Sequence, residues 1–195
     1  MTAWQSFPKV ELHLHLEGAA PPEFIRKMAA EKGIALEGVF DPTGAYAWTD
    51  FASFLETYHS ACQVLDGPEA FGRLTEAVLA TSAAEGVVYT EVFLAPHICG
   101  NGDPVAWQEH WAAIRAAAEA ARALLGSETR LISTAIRNLG AAKAEDAARL
   151  SAETKGPMLT GFGMGGEERF GCAADYARAF DIAREAGLRL TSHAG

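Results

Sequence analysis

The stretch Val10-Glu11-Leu12-His13-Leu14-His15-Leu16-Glu17-Gly18, VELHLHLEG, sets two histidines two residues apart among leucines and ends on Glu-Gly. Side chains two apart on a strand project to one face. As a strand, the segment turns His13 and His15 one way and Leu12, Leu14 and Leu16 the other, towards covering helices. Two imidazoles side by side at a strand end can fill two corners of a metal's coordination shell, and neutral imidazole suits zinc at about 2.0–2.1 Å per bond. A hydrogen-bonded histidine pair on a half-exposed strand gives the same pattern, so the pair alone does not define a site.

Outward from this strand, four more short apolar runs read as strands: VVYTEVFL from Val87, RLISTAI from Arg130, PMLTGF from Pro157 and LRLTSH from Leu188. Apolar residues on both faces suit strands covered by helices on both sides. Helical text lies between them. Glu31-Lys32-Gly33, Ala84-Glu85-Gly86 and Glu185-Ala186-Gly187 each read as a helix tail followed by a glycine suited to a left-handed stop. Asp103-Pro104 offers an N-cap and a first-turn proline for a helix over Val105–Leu125. Ala142–Thr154 and Cys172–Ala186 also read as helices. The region from about Gly18 to Gly86 is a long insertion with helices of its own, expected over Pro21–Lys32, Phe51–Leu65 and Pro68–Ala84.

Strand–helix alternation implies an α/β fold with a parallel sheet. A parallel barrel needs eight strands, and only five are legible. The expectation is a single catalytic barrel domain over residues 1–195 that stops before strands 6–8.

The balance of 16 basic against 25 acidic side chains, a formal charge of -9, offers no basic stripe for nucleic acid or an anionic membrane surface. No apolar run approaches the roughly 20 residues that span a bilayer, and MTAWQSFPKV lacks a basic region followed by an apolar run. Cys62, Cys99 and Cys172 are scattered and odd in number, which points to a reducing cytoplasm rather than a disulfide framework.

In a parallel sheet His193, from Thr191-Ser192-His193-Ala194-Gly195, emerges at the same C-terminal edge as His13 and His15, where parallel barrels place their chemistry. Three histidines there suffice for a zinc site with a position left for water. His59, His97 and His110 lie in helical or loop text and read as structural. Gly161, Gly163 and Gly166 satisfy GxGxxG after a strand, but Glu167 and Glu168 stand where a pyrophosphate would bind, which disfavours a dinucleotide site.

PKVELHLHLEG, SHAG and the intermediate Gly161-Phe162-Gly163-Met164-Gly165-Gly166-Glu167-Glu168 together resemble the adenosine deaminase family of the amidohydrolase superfamily, from Pro8 to the C-terminus. The resemblance implies a (β/α)8 barrel of the metal-dependent hydrolase type, with its first five strands present and a helical insertion after the first. It implies zinc held by His13, His15 and His193, with His15 also near the substrate. Glu17 stands where a carboxylate contacts a nucleoside sugar, and Gly166 where a backbone amide approaches the purine. Asp50–Tyr58 resembles a helical gate whose Phe51, Phe54 and Leu55 share one face, a pattern that a core-facing stripe also gives. Met164 and Phe162 either line the purine pocket or pack the fourth strand.

The implied reaction is hydrolytic deamination of adenosine and 2′-deoxyadenosine. The family's proton-donor glutamate is expected directly after Gly195, and its histidine on strand 6 and paired aspartates on strand 8 match nothing in this sequence. Two departures mark a divergent branch: Glu91-Val92-Phe93 lacks an arginine after the valine, and Arg137-Asn138 stands where Arg-His is expected. Adenine deamination, aminodeoxyfutalosine deamination and a non-catalytic zinc-binding relative are the alternatives. A phosphoesterase is disfavoured by an acidic rim formed by Glu17, Glu167 and Glu168.

Overall fold

A computed structural model describes residue 4 and residues 7–193, the side chain of Phe51 excepted. Ala194 and Gly195 of the SHAG motif lie outside the described residues, as does most of the segment before Phe7.

Five parallel strands form one sheet in the order β1-β2-β3-β4-β5. They are β1 Lys9–His15, β2 Val87–Leu94, β3 Glu128–Ile136, β4 Leu159–Gly165 and β5 Arg189–Leu190. The helices are α1 Pro22–Lys32, α2 Phe51–Cys62, α3 Gly67–Ala84, α4 Pro96–Cys99, α5 Pro104–Leu125, α6 Ala141–Thr154 and α7 Ala177–Glu185. The expected insertion is therefore real and carries α1, α2 and α3. The helix expected over Cys172–Ala186 divides into a 3-10 turn at Ala173–Tyr176 and α7, while the single turn of α4 was not foreseen. The sheet is the first five strands of an amidohydrolase-type barrel.

Local chemistry explains the boundaries. Gly33, Gly86 and Gly187, at the three foreseen junctions, take φ of 66°, 84° and 77°, the region an L side chain avoids. The Asp103 carboxylate accepts the Ala106 N–H at 2.9 Å, and Pro104 fills the first turn of α5. At α2, Asp50 and Ser53 cap each other reciprocally, with Ser53 N donating to Asp50 Oδ1 at 2.8 Å and Asp50 N donating to Ser53 Oγ at 3.0 Å. Strand β5 is shorter than its apolar text, yet its ladder runs on: Thr191 N donates to Phe162 O and His193 N to Met164 O, both at 3.0 Å.

The main core lies between the sheet's outer face and the helices, with Leu16, Ile25, Leu74, Leu94, Ile114 and Leu131 all fully buried. Each such side chain contributes on the order of 1.5–3 kcal/mol when removed from water. A second cluster joins α6 and α7 to β3 and β4 through Ala144, Ala147, Ala148, Ala179 and Ala183. These small residues let α6 approach closely enough for Ser151 Oγ to donate to Ser133 Oγ at 2.6 Å.

The leucine face of β1 is only partly covered. Leu16 is buried, Leu14 is half-buried, and Leu12 is 55% exposed. The covering expected for all three stops short because β1 is an outer strand of this sheet, paired on one side by β2.

Candidate metal centre

His13 and His15 reach the C-terminal end of β1, and the β5 ladder carries His193 to the same edge. Their Nε2 atoms converge: His13 to His15 is 3.3 Å, His13 to His193 is 2.7 Å and His15 to His193 is 3.1 Å. Among the described residues this trio is the group of ligand atoms that could hold a metal ion. Tetrahedral zinc with bonds of about 2.0–2.1 Å puts neighbouring nitrogens roughly 3.3 Å apart. His13–His15 at 3.3 Å and His15–His193 at 3.1 Å are close to that spacing and His13–His193 at 2.7 Å is well inside it, and one cation at the centre would use all three lone pairs.

The surroundings favour the neutral imidazole that a metal needs. Burial, and then the nearby His193 and His13, bring His15 down to about 4. Burial and then His13 also lower His193. Phe93 stacks on the His13 ring at 4.2 Å between centroids and 14° between planes, which fixes the exposed ligand from the next strand. The residues present therefore fit the metal that the sequence resemblance implies.

Beside the trio opens a cavity of about 720 Å³ lined by His15, His193, Glu17, Gly166, Phe54 and Leu55, along with Tyr58, His59, Asn138 and Glu167. It brings the sequence-predicted substrate residues together with the ligands. Two of the three gate residues, Phe54 and Leu55, face it from α2; the side chain of Phe51 lies outside the described residues. Met164 also faces away from this cavity and belongs to the α6–α7 core with Phe162.

Glu17 is not part of a rim. It is 6% exposed, its Oε1 is buried without a hydrogen-bond partner, and its Oε2 accepts from Tyr58 Oη at 3.5 Å. Burial pushes its carboxyl up to about 7 against the opposing effect of its backbone and Tyr58 hydrogen bonds. The acidic rim expected from Glu17, Glu167 and Glu168 therefore loses its first member.

Of the other histidines, His110 is buried, with Nδ1 2.7 Å from Ala106 O and its ring edge-on to Phe71. His97 has a buried, unpartnered Nε2. His59 is exposed at the cavity wall.

Sequence reasoning missed Tyr58 and Asn138. Tyr58 lies four residues after Phe54 and three after Leu55, so the face that flagged the gate extends to it. Asn138 follows the C-terminal end of β3, where barrel strands deliver functional side chains.

Converging histidines at the C-terminal edge of a parallel, helix-flanked sheet define the class as an amidohydrolase-type barrel hydrolase. Within that class the chain belongs to the adenosine deaminase family, which it matches over residues 8–195. It is 42% identical over 189 residues to an adenine deaminase of Agrobacterium fabrum, covering 96% of this chain and 57% of the relative. It is 44% identical over 187 residues to one of Rhizobium leguminosarum bv. trifolii, covering 96% and 58%. Among solved structures, the adenine deaminase of Arthrobacter aurescens superposes with a TM-score of 0.79 at 29% identity, over 95% of this chain and 57% of that one. An amidohydrolase of Burkholderia ambifaria with bound zinc gives 0.84 at 25% identity, over 100% and 55%. The chain thus spans a little over half the length of these relatives.

Proposed function

We propose that the protein is a zinc-dependent adenine deaminase, converting adenine and water to hypoxanthine and ammonia, and that residues 1–195 belong to its single catalytic barrel domain. The observation that carries this reading is the three-histidine convergence on the wall of a cavity large enough for a purine. The adenine deaminases at 42% and 44% identity favour the free base over adenosine, which the sequence resemblance had put first.

In this reading His13, His15 and His193 hold the ion, and bound zinc supplies an activated water by lowering its pKa towards 7. His15 borders both ion and purine. Gly166 forms part of the purine wall, where the lack of a side chain lets a flat ring approach the backbone. Phe54, Leu55 and Tyr58 cover the apolar side of the cavity and exclude water from it. No residue of the described site is assigned the protonation of the purine ring nitrogen. The proposed partner is a small purine, handled in the cytoplasm.

Adenosine remains the second reading, favoured by Gly165-Gly166-Glu167-Glu168, which resembles the Ala-Gly-Asp-Glu of nucleoside enzymes. Loss of the purine ultraviolet band by the full-length, zinc-loaded protein separates the two. A kcat/KM for adenine at least about a hundredfold above that for adenosine is expected. The reverse preference overturns the proposal.

A further inference from the structure

The wall of the cavity formed by Gly165, Gly166 and Glu167 has no regular secondary structure beyond Gly165, yet it is tied down at both ends by one dipeptide. At the near end, Asn138 Oδ1 accepts the Glu167 N–H at 2.8 Å. At the far end, the buried Arg137 donates from Nε to Phe170 O at 3.0 Å and from a terminal nitrogen to Gly171 O at 3.1 Å. Tyr176 Oη closes the arrangement by donating to Arg137 O at 2.9 Å.

Steric evidence agrees. Gly166 has φ of +100°, and a Cβ built there would lie 2.4 Å from Asn138 Oδ1. That contact is shorter than any real side chain tolerates, so the space a residue-166 side chain would need is filled by the Asn138 carboxamide. The glycine and the asparagine are two halves of one fit.

We infer that Asn138 is a positioning residue for the purine, its carboxamide oxygen holding the Gly165–Glu167 wall in place while Arg137 anchors the same loop downstream. Asn138 is not assigned a reacting atom; it acts through the Glu167 amide. The inference rests on the functional reading above for its kinetic consequence and on geometry alone for its structural one.

A carboxylate at 138 keeps an acceptor for the Glu167 N–H but loses the amide donors, so two variants separate the roles. In the full-length, zinc-loaded protein, Asn138→Ala should raise KM for adenine by about tenfold, with kcat changed by less than about threefold. Asn138→Asp should restore KM to within about threefold of the parent. Amide exchange supplies a readout that does not depend on turnover: protection of the Glu167 N–H should fall by about tenfold in Asn138→Ala and recover in Asn138→Asp. An unchanged KM or unchanged protection in Asn138→Ala overturns the inference, as does an Asp variant impaired as much as the Ala one. A parent protein that deaminates no purine overturns the functional reading alone, and amide exchange still decides the clamp.

Discussion

Gly165 makes the room that His193 occupies: a Cβ at Gly165 would lie 3.0 Å from Cε1 and 3.2 Å from Nδ1 of the imidazole. The constraint is steric rather than conformational, because Gly165 is not among the glycines with positive φ. Gly163, two residues earlier, does the same for Phe93 and Thr191, at 3.3 Å and 3.2 Å. Two of the three β4 glycines, Gly163 and Gly165, are therefore spaces reserved for the His193 ring and for the Phe93 ring that stacks on His13. Gly165→Ala should push the His193 ring away from the other two nitrogens. Outer contacts of this kind change metal affinity by about 10–100-fold, so zinc competition with a chromophoric chelator should show weakening in that range. Unaltered affinity would show that the ring has slack to move.

The trio itself makes the sharpest dependence on metal. Removing zinc with a chelator, or substituting His193→Ala, should abolish deamination, and zinc should restore the chelated parent but not the variant. Two imidazoles cannot match the affinity of three, so the variant should also fail to retain zinc through gel filtration, as measured by metal analysis. Full activity in a metal-free parent would remove the basis of the proposed chemistry.

The thiols provide a check on the fold around the cavity. Cys172 is exposed, Cys99 is buried and Cys62 lies between. Burial, together with the neighbouring Glu17, pushes the Cys62 thiol up to about 12 and raises that of Cys99 as well. Thiolate is the reactive form. Iodoacetamide at about pH 8 should therefore alkylate Cys172 in the native protein and leave Cys62 and Cys99 intact until unfolding, as read by peptide mapping. Rapid native labelling of Cys62 would mean that α2 opens readily above the cavity.

Trp107 tests the core that joins α5 to α6. It is fully buried, and its Nε1 donates to Thr154 Oγ1 at 2.8 Å. Trp107→Ala should cost about 3–5 kcal/mol from lost burial and the cavity left behind. Trp107→Phe should cost distinctly less, because Thr154 keeps a donor in Gln108 Nε2 at 3.1 Å. Chemical denaturation of the two variants would decide; equal losses would assign the stability to the indole N–H rather than to its bulk.

Much of this architecture was legible because local signals were strong. The HxH spacing fixed which way His13 and His15 face, the Asp103-Pro104 start marked α5 within a residue, and β2 is read with its observed limits. What was not legible depends on partners distant in sequence. Glu167 and Glu168 argue against a phosphate loop in the sequence itself, but the steric reason for Gly165 appears only when His193 is placed beside it. Glu17 looks like a rim carboxylate until Tyr58, 41 residues away, is laid over it. Arg137-Asn138 was visible only as a departure from the family's pattern, since its meaning lies in the Glu167 amide and the carbonyls of Phe170 and Gly171. Exposed Leu12 could not be foreseen either, because coverage of a strand is set by what lies next to it and not by its own residues.

Glu17 is the residue whose environment makes least sense as packing alone. A buried carboxyl with a sealed oxygen that no other residue partners, and a Tyr58 hydrogen bond at the long limit of 3.5 Å, destabilises a fold, and leaving such a group unsatisfied costs about 1–3 kcal/mol. An apolar side chain of similar length should relieve that cost, so Glu17→Met in the zinc-loaded protein should leave Tm unchanged or raise it. If the carboxyl is kept for the purine, the same variant should lose most of its deaminase activity, a stability–activity opposition typical of functional polar groups. Calorimetry and turnover on one sample test both halves. A fall in Tm of several degrees would make Glu17 a structural member of the Tyr58 contact, and full activity with raised Tm would remove it from the substrate site.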